Sequence, residues 1–184
     1  MKHQRGFTLF ELMVTISLVV LLLTLSSVVY RNTNKRTELV LTAHQVAAMG
    51  RLAESYAASA KELNNVAGQN IWSLYFDSSN PVNAKKIIMF VDINDNQLYD
   101  VGEESRVLDL PRQISIRAIY KGSANTLINK ATVLFSPPDP KTKLCDTSAG
   151  SCASTDVVRI VIQDDINNSV KEVKFNFFGL IEVR

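Results

Sequence analysis

Histidine is nearly missing from this sequence: His3 and His44 are the two among 184 residues. That scarcity argues against a histidine-built metal centre and against a hydrolytic triad. Glycine is also sparse, with seven residues, each isolated, so no glycine-rich phosphate loop is present. Neither Gly-x-Ser-x-Gly nor His-Glu-x-x-His occurs, and the expectation is a protein that is not an enzyme and requires no cofactor. With two cysteines and five prolines, disulfide-dense and collagen-like classes are excluded. No sign of charge dominates either: 20 Lys and Arg face 18 Asp and Glu, too even for a protein that coats nucleic acid.

What the sequence does have is an apolar run. From Leu12 to Val29 no residue is charged. Its polar members, Thr15, Ser17, Thr24, Ser26 and Ser27, are able to bond back to helix carbonyls. With Phe7 to Phe10 added, the run reaches the ~20 residues of a membrane-spanning helix. Lys2 and Arg5 precede it and Arg31, Lys35 and Arg36 follow, so counting basic residues does not fix an orientation. A secretory signal has an apolar core of ~7–15 residues and a small-residue cleavage site, and Tyr30-Arg31-Asn32 offers none. Glu11 stands apart. A carboxylate in a span costs at least ~2.5–3.5 kcal/mol on insertion scales and calls for a partner.

The segment Lys2-His3-Gln4-Arg5-Gly6-Phe7-Thr8-Leu9-Phe10-Glu11-Leu12 resembles the leader and processing site of type IV prepilins and type II secretion pseudopilins. The resemblance implies cleavage after Gly6 by a prepilin peptidase and N-methylation of the new terminus at Phe7. It also implies an assembly role for Glu11, paired with an N-terminal amine of its own or a neighbouring subunit. Phe10 departs from the aliphatic residue usual there. The strand and loop Phe90-Val91-Asp92-Ile93-Asn94-Asp95-Asn96, then Leu134-Phe135-Ser136-Pro137 and the terminal Phe178 to Arg184, are similar to the GspH/FimT-related branch of the family. The implied protein is a minor pseudopilin or minor pilin of a type II secretion pseudopilus or type IV pilus. Its implied partners are other pilins in a helical filament, the peptidase, an inner-membrane assembly platform, and membrane lipid before assembly. The implied placement is single-pass in the inner membrane with the head outside the cytoplasm, then in a periplasmic or surface filament.

Residues 37–63 read as an amphipathic helix, with Leu39, Ala43, Val46, Gly50, Ala53, Ala57 and Ala60 recurring at spacings of 3 and 4. Leu52, Tyr56 and Leu63 widen the stripe, and Asn64, Asn65 and Gly68 supply stop signals. Gly50 in mid-helix costs ~1 kcal/mol relative to Ala and predicts close packing against a sheet. His44 reads as a surface or packing residue. Beyond Ile71 short β-rich runs alternate with turns, and strands are predicted at 73–77, 86–92, 105–108, 115–120, 131–135, 157–163, 170–177 and 180–183. The predicted fold is α+β: a long N-terminal helix, half transmembrane and half amphipathic, packed on an antiparallel sheet or small sandwich head. The expected organisation is a leader (1–6), a membrane or filament-core half-helix (7–30), an amphipathic half-helix (31–63) and a β-rich head (64–184).

Two constellations in the head suggest chemistry. Counting from Asp92, oxygen-bearing side chains fall at Asp92, Asn94, Asn96, Asp100 and Glu103, with the Leu98 carbonyl between them. This is the spacing of a calcium-binding EF-hand loop. Gln97 occupies the place where the sharp turn wants glycine, and the loop follows a strand, so a solvated acidic turn is the alternative to structural Ca2+. Cys145 and Cys152 enclose six turn-forming residues; a head outside the cytoplasm predicts a disulfide between them, worth about 2–2.5 kcal/mol. The other functional reading is a DNA-binding minor pilin of an uptake pilus. The tail Gly179 to Arg184 holds one Arg opposed by Glu182, which gives few phosphate contacts and disfavours DNA.

Overall fold

A computed structural model of the chain describes residues 8–61, 71–136 and 141–184, without side chains at 26–36 and 141. The chain divides into two compact units, Met1–Glu38 and Leu39–Arg184. A single helix, α1 (Leu9–Ala58), contributes to both.

In the second unit the stripe residues Leu39, Ala43, Val46, Ala53 and Ala57 are each at most 3% exposed, as their spacing predicts, and Ala47 and Met49, outside the predicted stripe, are buried beside them. Most of these side chains are small, which lets the helix axis come close to the strands. Gly50 is the closest point. A Cβ there would stand 2.7 Å from Ile181 Cδ1, 3.0 Å from Phe175 Cε1 and 3.5 Å from Leu74 Cδ1. His44 lies on the exposed face.

Ala60 belongs to the helix stop and is exposed. It adopts φ +46°, the Lys61 N–H donates to the Tyr56 carbonyl at 3.0 Å, and the Ala60 N–H donates to Ala57. This closing pattern, which usually employs glycine in the left-handed position, ends the helix before Leu63. The expected stop residues Asn64, Asn65 and Gly68 lie outside the described residues. Just past the stop, the Trp72 indole N–H donates to the Lys61 carbonyl at 2.9 Å. The Trp72 ring meets Tyr56 edge-on at 4.8 Å, and Lys61 Nζ sits 3.6 Å over the Tyr56 ring.

Among the described residues eleven strands follow, in two antiparallel sheets. The first has the order β3 (Glu104–Asp109), β2 (Lys86–Asp92), β1 (Ile71–Asp77), β6 (Lys130–Ser136), β7 (Lys141–Asp146), β8 (Ala153–Thr155). The second runs β11 (Ile181–Val183), β10 (Val170–Asn176), β9 (Val157–Asp164), β4 (Ile114–Lys121), β5 (Thr126–Ile128). Alternation puts Trp72, Leu74 and Phe76 of β1 with Ile160 and Ile162 of β9 and Phe175 of β10 in one core, joined by the helix stripe. Phe76 and Phe175 meet across it with centroids 5.6 Å apart. A short 3-10 turn, Asn83–Lys85, precedes β2. Strands β5, β7 and β8 had no counterpart in the sequence reading; each is short or polar and is held by its neighbour's register, as in Leu134↔Lys143 and Thr132↔Cys145.

No helix among the described residues is long and apolar enough to cross a membrane. This corrects the expected transmembrane half-helix at 7–30, and with it the expected single-pass placement in the inner membrane with the head outside the cytoplasm. Among the residues with described side chains, the charge-free part of α1 covers Leu12, just after Glu11, to Leu25, and a bilayer crossing takes ~20 such residues.

Candidate functional site

Gly6 and Phe7, the expected processing site, lie outside the described residues. The residues that follow open the helix. The Thr8 hydroxyl accepts the Glu11 backbone N–H at 3.2 Å, and the Thr8 carbonyl accepts the Leu12 N–H at 3.2 Å. Thr8 is therefore the N-cap and Glu11 stands three residues into the cap, the Thr-x-x-Glu arrangement that satisfies helix-end donors. At this position a carboxylate also gains ~0.3–1 kcal/mol from the positive end of the helix dipole. The Thr-x-x-Glu spacing displays this cap in the sequence, beside the assembly role that the family resemblance implies for Glu11.

The surface that α1 presents from Leu9 to Leu25 is almost wholly apolar. Leu9 and Phe10 are 78% and 76% exposed, and Leu12, Met13, Ile16, Leu18 and Leu22 are all more than half exposed. The few hydroxyls are turned inward on the helix: Thr15 donates to the Leu12 carbonyl at 2.9 Å, Ser17 to Met13 at 2.8 Å and Thr24 to Leu21 at 2.8 Å. An apolar surface of this extent marks an interaction site.

The loop joining β2 to β3 is curled as its sequence suggested. Both Asp92 oxygens accept backbone N–H groups, from Asn96 at 3.1 Å and Gln97 at 2.7 Å. The Asn94 and Asn96 side-chain amides donate to Asp100 Oδ2 at 2.9 and 2.7 Å. The Glu103 carboxylate accepts N–H groups of Ile93 and Asp100, each at 3.1 Å. Gln97 adopts φ +65°, so the chain makes the sharp turn without the glycine that favours it. Leu98, whose carbonyl is the expected ligand, donates its own N–H to Asn96 Oδ1 at 2.7 Å. Among the described residues no three His, Cys, Asp or Glu side chains form a group able to hold a metal ion. The loop holds its shape through hydrogen bonds to Asp92, Asp100 and Glu103, the carboxylates expected to grip calcium.

What the loop covers is the first sheet's other face. Phe90, Leu134 and Cys145 are at most 1% exposed, yet they alternate with core residues and so point away from the helix side. The Tyr99 ring lies beside this face, 5.0 Å from Tyr75 and 5.5 Å from Phe90, and Lys143 Nζ donates to Gln97 Oε1 at 2.6 Å. The loop is thus a strap held against this face through Tyr99 and Gln97.

Titration behaviour follows from these contacts. Burial pushes the Asp92 carboxyl up, and the Gln97 and Asn96 N–H bonds offset only part of this. Hydrogen bonds from Asn94 and Asn96 hold the Asp100 carboxyl below its ordinary value. Burial, the hydrogen bond to Glu104 and the charges of Glu104 and Glu103 push the Tyr99 hydroxyl up to about 12.

Cys145 and Cys152 are joined, with Cα atoms 4.9 Å apart. At the C-terminus, Arg184 pairs with Glu182 at 2.9 Å, and its backbone exchanges two hydrogen bonds with Glu172 at the edge of β10.

Residues 1–27 match the prokaryotic N-terminal methylation motif, which is consistent with a place for the chain in the type-IV-pilin-like prepilin family. No curated protein and no solved structure gives a significant match to the chain.

Proposed function

We propose that the chain is a minor pseudopilin or minor pilin, a structural subunit that joins a helical filament of a type II secretion pseudopilus or type IV pilus. In this reading a prepilin peptidase cuts after Gly6, the new amine at Phe7 is methylated, and Glu11 pairs with such an amine of its own or a neighbouring subunit. Such a pair fixes register between subunits, the best-attested use of buried charge. Its other partners are pilin-type helices and the assembly platform of the same machine.

The observation that carries the reading is the apolar, uncovered surface of α1 from Leu9 to Leu25, within the matched methylation motif. The uptake-type alternative, DNA binding through a basic tail, draws less support, because Arg184 is engaged by Glu182. Mass spectrometry of the chain produced alongside a prepilin peptidase tests the proposal. The expected product lacks Met1 to Gly6 and carries one added methyl at Phe7; recovery of the chain with Met1 to Gly6 attached would overturn it.

A further inference from the structure

A groove of about 480 Å3 lies between the later turns of α1 and strand β3. Gln45, Ala48, Met49 and Leu52 line it from the helix and Val107 and Leu108 from the strand, and Arg106 is its single charged lining residue. Strand β3 ends its sheet, so no strand lies against its outer edge among the described residues. A second β3 is a poor occupant. Laid antiparallel about the strand's centre, it would set Glu104 against Asp109, and like charges directly opposite are destabilising.

We propose that the groove receives the Leu9–Leu25 segment of α1 from a second copy of the chain, with Glu11 of the incoming helix beside Arg106. The inference rests on the assembly reading above and names the surface through which it acts. Three observations favour this occupant. The segment is the longest uncovered apolar stretch among the described residues, and the groove's lining is mostly apolar, with Gln45 and Arg106 as its polar members. Glu11 is the one charge in the segment and Arg106 the one charge in the groove. Neither makes an ion pair among the described residues. A carboxylate has two oxygens, so an amine on one leaves the other for a guanidinium.

Helix geometry sets the rest of the contact. With Glu11 at Arg106, Val14, Leu18 and Leu22 follow on the same face at spacings of 3 and 4. Ala48, small and exposed, lets the two helix axes approach to the ~8–10 Å of packed helices.

Two full-length variants test the seat, each carrying one new thiol: Leu18→Cys in one and Ala48→Cys in the other. Mixed and oxidised, they should form a covalent heterodimer, whereas Leu18→Cys mixed with Leu127→Cys, on exposed β5, should not. Adding Arg106→Glu to the Ala48→Cys chain should cut the yield about five- to tenfold, whereas Arg106→Lys, which keeps the charge, should retain most of it. Equal yields for the Ala48 and Leu127 pairs, from chains that still sediment as oligomers, overturn the groove and leave the assembly reading standing. Chains that stay monomeric at every concentration overturn both.

Discussion

A methyl group added at Gly50 meets Ile181 and Phe175 side chains at 2.7 and 3.0 Å. The nearer atom is the mobile end of an isoleucine, so Gly50→Ala should lie within ~1 kcal/mol of the unchanged protein, helix propensity offsetting repacking. Gly50→Leu has no such room and should cost ~2–3 kcal/mol in urea denaturation. Charge acts at the same scale. Burial raises the Asp77 carboxyl, yet hydrogen bonds from Ser79, Asn83 and Tyr75 outweigh it and hold it below its ordinary value. For Asp165, burial is outweighed by Lys85 and Ser115, and for Asp146 by Lys121 and Ser148. Groups lowered in the folded state contribute stability that is complete above the unfolded carboxyl value and lost as pH falls through the folded ones. Asp92, raised by burial, acts in the opposite sense: its protonation favours the fold as pH falls toward that value. Urea midpoints should therefore drop below about pH 4, and Asp77→Asn should make that drop shallower; a drop unchanged in Asp77→Asn and Asp165→Asn would refute the assignment.

Among the elements, the strap between β2 and β3 joins two features that the sequence displays separately. Its spacing of Asp, Asn and Glu is legible in one dimension and reads as a cation loop. The covering of Phe90 and Tyr75 by Tyr99 is not, because it depends on which sheet face lacks a helix. Tyr99→Ala should cost ~1–2 kcal/mol, less than a fully buried aromatic, and should speed proteolysis between Ile93 and Val101. Joining Cys145 to Cys152 closes a short loop, so Cys145→Ser paired with Cys152→Ser should cost about 2 kcal/mol. The helix stripe and eight of the strands were legible because apolar residues recur at 3.6 or 2 positions. Strand β7 was not: Lys141 to Asp146 has little apolar alternation, and its pairing with β6 is what makes it a strand. The helix end was misplaced by the sequence because Ala60 takes a left-handed conformation that its side chain does not advertise.

For the whole molecule, the methylation motif was the most legible feature, since it is a contiguous string with a defined spacing. The absence of a membrane-length helix among the described residues was not legible. Composition alone joined Leu12–Val29 to its flanks and made a span of them. If the apolar surface of α1 drives assembly, Leu18→Glu combined with Leu22→Glu should leave the chain monomeric at concentrations where the unchanged chain sediments as larger species. Equal sedimentation of the two would remove that surface from the interface.

Trp72 is the only tryptophan in the chain, 1% exposed and tied through its indole N–H to the helix's closing turn. Its fluorescence is accordingly a built-in reporter of one joint. Separation of the helix end from the first strand would wet the indole and shift its emission to longer wavelength, even while the β-sheet signal in circular dichroism stays unchanged. A single spectrum thus distinguishes undocking of the helix from unfolding of the sheets, with no dye attached.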